Sequence, residues 1–110
     1  MIKIFKPCDF HVHLREGDLA KQVLNENSKH FQKILIMPNL QVPITNSNLL
    51  NKYRNHLLKN KKNLEILFTI YLNQNCSIKE LSEMKKKKLF FSVKLYPQNA
   101  TTNSSYGVSD

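Results

Sequence analysis

Residues 64–72 read LEILFTIYL, an apolar run broken only by Glu65 and Thr69. A run of this length, rich in β-branched and aromatic residues, predicts a strand, and near-continuous apolar character is typical of a parallel strand buried on both faces. Three further segments also predict strands by apolar character or alternation, namely residues 8–14 (CDFHVHL), 33–37 (KILIM) and 90–96 (FFSVKLY). The sequence therefore predicts four strands.

The segments between these strands have the apolar spacing of helices. Residues 18–28, 47–60 and 77–87 carry apolar side chains three and four positions apart, as amphipathic helices do. Asn46 or Ser47 can cap the second helix, and the pair Ser77 and Glu80 has the spacing of a capping box before the third. The order β-α-β-α-β-α-β predicts an α/β fold with a parallel sheet, followed by a polar loop over residues 98–110.

Length and composition indicate one small domain. The chain has 110 residues and two cysteines, Cys8 and Cys76, and no run of about eighteen apolar residues that would span a bilayer. Polar residues begin too early in MIKIFKPCDFHVHL for a secretory signal. We therefore expect a cytoplasmic chain, without a membrane partner, whose cysteines are reduced.

The formal net charge of +9 does not by itself indicate a nucleic-acid partner. Only Arg15 and Arg54 are arginine, and the lysines are spread along the chain rather than grouped with aromatic residues. The run 85–88 is most simply the solvated end of a helix, where positive charge complements the helix dipole. A polyanion-binding role remains an alternative, which a salt-dependent retention assay would test.

The pair His11 and His13 is a candidate metal site. Residues two apart on a strand face the same side, roughly 6–7 Å apart at Cα, so both imidazoles can reach one ion. The same alternation predicts a polar and an apolar face, formed by Asp9, His11, His13 and Arg15 and by Phe10, Val12 and Leu14. Ordinary core or surface histidines are the alternative, but the end of a parallel strand is where α/β folds place their sites.

Lys94 interrupts the apolar run FFSVKLY, where an ammonium without a partner would be costly to bury. One interpretation is a buried stem whose head reaches the rim of the sheet or pairs with a carboxylate. The other is a neutral amine that reacts with carbon dioxide, giving a carbamate whose two oxygens bridge two metal ions. The residues alone leave both interpretations open.

Two further polar residues follow predicted strands. Arg15 can make a bidentate contact with a substrate carboxylate, and Asn39, after the strand KILIM, can add a hydrogen bond. A surface arginine and a turn asparagine are the simpler alternatives. His30 and His56 fall in or beside predicted helices, so we expect both to face solvent.

Three stretches carry a resemblance to a known family: DFHVHLR at residues 9–15, MPNL at 37–40 and VKLYPQNATTNSS at 93–105. In this order and spacing they resemble the dihydroorotases of the short bacterial type, within the amidohydrolase superfamily. The His-x-His-Leu-Arg element is shared with hydantoinases and allantoinases. The KLYPxxATTNSS segment is more particular to dihydroorotases.

The resemblance implies an eight-stranded (β/α) TIM barrel with two zinc ions at its C-terminal face. It implies the reversible cyclisation of N-carbamoyl-L-aspartate to dihydroorotate in de novo pyrimidine biosynthesis. His11 and His13 would bind the first zinc, and Lys94 would be a carboxylated lysine bridging both ions. Arg15 and Asn39 would hold the carboxylate of the small-molecule substrate, and the full-length form would be a homodimer.

The length departs from the family. A complete barrel of this kind needs about 200–250 residues, so residues 1–110 would form an incomplete hydrolase barrel domain of four strands and three helices. Two further histidines and an aspartate of the family would lie beyond Asp110, so we expect the chain alone to be inactive. Alternatives are another cyclic amidohydrolase, hydantoinase-like, and a non-catalytic basic remnant that acts as a binding module.

Overall fold

The computed structural model describes residues 1–59 and 63–109, and the predicted helix end at Asn60 and the predicted loop end at Asp110 lie outside the described residues. The predicted order is confirmed. In chain order the elements are β1 Cys8–Val12, α1 Gly17–His30, β2 Lys33–Ile36, α2 Ser47–Leu58, β3 Glu65–Leu72, α3 Ile78–Lys86 and β4 Ser92–Leu95. Among these helices, none has both the length and the apolar character needed to cross a membrane.

All three strand pairs are parallel, and the strands lie in the order in which they occur in the chain. Each helix therefore connects two neighbouring strands. A sheet whose strands keep adding on one side has no point at which the order reverses, which distinguishes barrels from doubly wound sheets. The predicted parallel α/β class is confirmed, with the connectivity of a barrel segment.

The hydrophobic core lies between the sheet and the three helices. On each strand, every second side chain points toward the helices. Ile34, Ile36 and Ile70 are such residues and are 0–1% exposed. They pack with helix residues such as Leu24 and Leu50. Because successive strand residues face opposite sides, the side chains between them, including those of His11 and Lys94, face away from the helices.

The sheet is concave on the face opposite the helices. β1 and β4 are its outer strands, three strand spacings apart, which is about 14 Å across a flat sheet. Side chains standing perpendicular to a flat sheet could not meet over that distance. Nevertheless Lys94 Nζ lies 3.4 Å from His11 Nε2, so the sheet must curve until its two outer strands turn their inner faces toward each other.

Helix starts follow the predicted caps with one difference. The Asn46 side chain accepts a hydrogen bond from Leu49 N, and Ser77 Oγ accepts one from Glu80 N. The returning half of the predicted capping box is absent, because the Glu80 carboxylate instead accepts hydrogen bonds from the backbone N and the hydroxyl of Ser47. Glu80 therefore joins the start of α3 to the start of α2.

The first strand is shorter than the predicted 8–14. Pairing with β2 is irregular between Asp9 and Val12, and the chain leaves the sheet after Val12. Arg15 has a left-handed backbone conformation, with φ 65°. The predicted strand therefore ends before His13 and Arg15, and a turn rather than strand alternation sets the positions of these two residues.

The second face of the first strand is apolar, as predicted, but it is not buried along its whole length. Val12 and Leu14 are buried, but Phe10 is 54% exposed because β1 is an outer strand. On the other outer strand, β4, Val93 and Leu95 are 51% and 58% exposed. β4 is also shorter than the predicted 90–96.

The two neighbouring leucines near the end of α2 provide a test of this core. Leu57 is 0% exposed and Leu58 is 37% exposed, so Leu57→Ala should lower the free energy of unfolding by about 2–5 kcal/mol through cavity formation. Leu58→Ala makes the same chemical change on the same helix and should cost less than about 1 kcal/mol. Urea unfolding followed by circular dichroism measures both, and equal losses would contradict the described packing.

The Glu80 contact predicts a pH dependence of stability. Hydrogen bonds from the Ser47 hydroxyl and backbone N–H lower the pKa of Glu80 below its usual 4.5. A carboxyl whose pKa is lowered by folding stabilises the folded chain above its unfolded pKa, and this stabilisation is lost as the pH falls through the folded pKa. The stability difference between wild type and Glu80→Gln should therefore be present at pH 7 and shrink below pH 4.5.

Urea midpoints between pH 7 and 3 measure that difference. Glu83→Gln is the matched control, because it removes an exposed carboxylate from the same helix. A difference between wild type and Glu80→Gln that stays constant with pH would contradict the role given to the Ser47 contact.

Candidate functional site

The imidazoles of His11 and His13 converge on the concave face at the carboxyl end of β1. Their Nε2 atoms are 3.3 Å apart, with ring centroids separated by 5.2 Å and planes inclined by 53°. The Asp9 carboxylate accepts a hydrogen bond from His11 N at 3.0 Å and so supports the irregular end of the strand. The predicted meeting of these two histidines is observed, although His13 lies beyond the end of the strand.

The separation of the two nitrogens suits one tetrahedral ion. Zn–N bonds of about 2.0–2.1 Å at a tetrahedral angle place two ligand nitrogens about 3.3–3.4 Å apart. The observed 3.3 Å matches that value. Among residues 1–59 and 63–109, no three His, Cys, Asp or Glu side chains form a metal-binding group, so further donors would have to be of another type.

Lys94 brings a third nitrogen to the two histidines. Its Nζ is 3.4 Å from His11 Nε2 and 3.1 Å from Met37 Sδ, and it lies 4.6 Å from the centre of the Tyr96 ring. Within the described parts of the chain no carboxylate forms an ion pair with Lys94. The geometry therefore gives no support to a salt bridge between Lys94 and a carboxylate. It places the Lys94 nitrogen beside the imidazole of His11 instead.

His13 is in an environment that favours its neutral form. Partial burial, followed by the nearby charges of Lys94 and Arg15 and by His11, lowers the pKa of His13 below the usual 6.5. The neutral imidazole keeps a lone pair, which is the form that binds metal ions.

Arg15 and Asn39 follow the carboxyl ends of β1 and β2 and have unsatisfied polar atoms. Arg15 Nη1 and both amide atoms of Asn39, Nδ2 and Oδ1, are buried without a hydrogen-bond partner. Asn39 is 1% exposed. Since buried polar groups are nearly always paired in proteins, three such atoms in two neighbouring loops indicate a place for a polar ligand.

The segment after β4 folds into an ordered loop beside these residues. Val108 N donates to Tyr96 O at 2.7 Å, which closes the loop, and Gly107 lies so near that a Cβ there would be 2.7 Å from Tyr96 O. Asn103 Nδ2 donates to Asn39 O at 3.3 Å and so connects the loop to the neighbouring site residue. The predicted loop is confirmed, but sequence patterns gave no indication of its attachment to Asn39.

Tyr71 is a polar residue of the concave face that the sequence analysis did not single out. It is 0% exposed, pairs in register with Lys94, and its hydroxyl is buried without a partner. Burial, with Tyr96 as the second cause, raises the pKa of Tyr71. Strand alternation from Lys94 through the parallel register could have identified it, because both side chains face the same side.

The two remaining histidines are not part of the imidazole pair described above, and Cys76 Sγ donates to Tyr71 O at 3.2 Å. His30 is exposed, as predicted, whereas His56 is half buried, with its Nε2 3.3 Å from Gly17 O, and so faces solvent only in part. Cys8 and Cys76 are both free thiols.

Comparison with known proteins finds similarity to dihydroorotases. No protein-family model matches the chain. The mitochondrial dihydroorotase of Oryza sativa subsp. japonica is 42% identical over 112 residues, covering 99% of this chain, and the dihydroorotase of Helicobacter acinonychis is 39% identical over 109 residues with the same coverage. These alignments cover 28% and 32% of the two relatives, so the chain spans about three tenths of their length.

Solved structures agree with the sequence matches. A dihydroorotase from Saccharomyces cerevisiae in complex with 5-fluoroorotic acid superposes with a TM-score of 0.88 at 34% identity, over 93% of this chain and 28% of that chain. A dihydroorotase from Campylobacter jejuni gives 0.84 at 36% identity, over 96% and 31%. The four parallel strands and three helices match the N-terminal half of the TIM barrel in such structures.

Proposed function

We propose, on the premise that this chain corresponds to the N-terminal portion of a dihydroorotase, that it carries part of the site for the reversible cyclisation of N-carbamoyl-L-aspartate to dihydroorotate. The supporting observation is the convergence of His11, His13 and Lys94 at one end of the sheet. A dihydroorotase matches 99% of the length of this chain, and the three polar residues that the sequence analysis singled out lie together in the structure. In this proposal residues 1–110 form an incomplete hydrolase barrel domain.

The metal part of the proposal assigns His11 and His13 as ligands of zinc. Their 3.3 Å nitrogen separation and the neutral form favoured for His13 both fit that role. Zinc would supply Lewis acidity, lowering the pKa of water and polarising the ring amide carbonyl. The chain's own contribution is to hold two imidazoles in position and to keep their lone pairs available.

Lys94 is proposed to become carboxylated. The ammonium would first release a proton to solvent, and the neutral amine nitrogen would then form a bond to the carbon of carbon dioxide while one C=O electron pair moves to oxygen and a second proton is released. The product is a carbamate with one negative charge and two oxygens. The surroundings favour such a change, because Arg15 and Lys94 place positive charge near His13 and no carboxylate pairs with Lys94 among the described residues. A carbamate would replace a crowded cation by an anionic metal ligand.

Arg15 and Asn39 are proposed to bind the substrate carboxylate. A guanidinium nitrogen and an amide nitrogen are donors that a carboxylate can accept from, and both are buried and unpaired here. The amide oxygen of Asn39 would remain free to accept a hydrogen bond from a substrate N–H. This assignment accounts for all three unsatisfied atoms with one ligand.

The cellular compartment, the class of substrate and the oligomeric state are proposed from the same resemblance to dihydroorotases. We propose a cytoplasmic enzyme with a small-molecule substrate, in agreement with two cysteines that are not bonded to each other. The homodimer implied for the full-length form stays a prediction. The relatives named above are dihydroorotases, which favours this function over the hydantoinase-like alternative and over a basic binding module.

Zinc binding by the chain tests the metal assignment. His11→Ala and His13→Ala should each weaken zinc binding by at least about tenfold, because each removes one of few ligands. His30→Ala removes an exposed histidine far from the site and is the matched control. Competition with a chromophoric chelator measures the affinities, and equal affinities of wild type and all three variants would contradict the assignment.

A chimera tests the catalytic assignment. Residues 1–109 would replace the matched segment of the Campylobacter jejuni dihydroorotase, and hydrolysis of dihydroorotate would be measured. We expect activity in the chimera and a loss of about three orders of magnitude in its Lys94→Met variant, since metal-assisted charge stabilisation contributes several kcal/mol to such reactions. The variant His30→Ala should keep the activity of the chimera. A folded, zinc-loaded chimera without activity, or an active Lys94→Met variant, would contradict the proposal.

A further inference from the structure

The turn between β1 and α1 has an unusual backbone. Arg15 and Gly17 both have left-handed conformations, with φ of 65° and 61°. Glycine adopts such a conformation readily, but a residue with a Cβ and a long side chain does so at an energetic cost. The surroundings must therefore hold Arg15 in this conformation.

Helix α2 supplies two contacts to this turn. The Tyr53 hydroxyl donates to Arg15 O at 2.7 Å, and His56 Nε2 lies 3.3 Å from Gly17 O, close enough for its N–H to donate. Tyr53 and His56 are three positions apart and so lie on the same face of the helix. Their two polar groups meet the carbonyls of the two left-handed residues.

Tyr53 is the more deeply placed of the two. It is only 8% exposed, and burial, with the charge of Glu16 as the second cause, raises the pKa of Tyr53 well above its usual value. The hydroxyl therefore keeps its proton and remains a donor at neutral pH. Its 2.7 Å hydrogen bond is short and joins α2 to a turn 38 residues earlier in the chain.

Glu16, the residue after Arg15, contacts a second part of the chain. The Glu16 carboxylate accepts a hydrogen bond from Gln41 N at 2.9 Å, in the loop that follows β2 and carries Asn39. The turn is thus connected both to α2 and to the neighbouring loop, while Arg15 Nη1 stays buried and unpaired. The contacts of Arg15 O and of Glu16 therefore constrain the direction in which the Arg15 side chain leaves the turn.

We propose that Tyr53 is a positioning residue for carboxylate recognition. Its hydrogen bond holds the backbone of Arg15 in the left-handed conformation and thereby directs the guanidinium to the site. Tyr53 itself does not reach the substrate, and its effect passes through Arg15. This inference rests on the proposed function, in which Arg15 binds the carboxylate of dihydroorotate.

The first test measures the turn itself in the 110-residue chain. Tyr53→Phe removes only the hydroxyl, and Tyr106→Phe makes the same change at a tyrosine that is 51% exposed. The three-bond coupling between the amide and α protons of Arg15, measured by NMR, reports its φ. We expect Tyr53→Phe to change this coupling and Tyr106→Phe to leave it as in wild type.

The second test measures binding of dihydroorotate by NMR titration in a double-mutant cycle. Tyr53→Phe should weaken binding about tenfold, the loss expected for about 1.4 kcal/mol of misdirected contact. In an Arg15→Met background the same change should have almost no further effect, because no guanidinium remains to be directed. A merely structural role of Tyr53 would weaken binding equally in both backgrounds.

The outcomes distinguish failure of the proposed substrate site from failure of the positioning role of Tyr53. If the wild-type chain does not bind dihydroorotate, the proposed substrate site fails, and the coupling of Arg15 alone decides the role of Tyr53. An unchanged coupling, or equal losses in both backgrounds, would overturn the positioning role. If Tyr53→Phe does not fold, the wild type still provides a check, because its Tyr53 hydroxyl proton should exchange slowly with water and rapid exchange would overturn the inference.

Discussion

Parallel hydrogen bonding between consecutive strands is the constraint on which the site depends. It aligns the carboxyl ends of β1 to β4 at one edge of the sheet and leaves each helix on the same outer face. Curvature then brings the two outer strands toward each other, so that Lys94 Nζ and His11 Nε2 are separated by 3.4 Å. No segment of local sequence contains this contact, since it requires all four strands in register.

The charge distribution of the concave face differs from that of an ordinary surface. Nitrogen groups predominate where His11, His13 and Lys94 meet, and the nearest acid on β1, Asp9, is engaged with a backbone N–H. Close by, polar atoms of Arg15 and Asn39 are buried without partners. This arrangement places imidazole nitrogens at the centre of the site and unpaired hydrogen-bond donors beside them, as the proposed function requires.

The sequence predicted the order of elements, which depends on local patterns, and singled out His11, His13 and Lys94, which the structure brings together. Apolar runs such as LEILFTIYL define strands, and a lysine within FFSVKLY is anomalous wherever the strand lies. The end of β1 was mispredicted because the turn that follows it makes contacts distant in sequence, such as the hydrogen bond from Tyr53 of α2 to Arg15 O. The partner of Glu80 was mispredicted for the same reason, since Ser47 competes with the local cap, and the unpaired hydroxyl of Tyr71 could be found only from the register.

The consecutive strand order has a consequence for how the chain acquires its structure. The paired residues Cys8 and Lys33, Lys33 and Glu65, and Thr69 and Ser92 are separated by 25, 32 and 23 positions, so each pairing closes a loop of similar length. Because loop-closure entropy changes slowly with length, the successive pairings have nearly equal entropic costs. A nascent polypeptide emerging from the ribosome could therefore add one strand and helix at a time, and each new strand would pair with the one synthesised just before it.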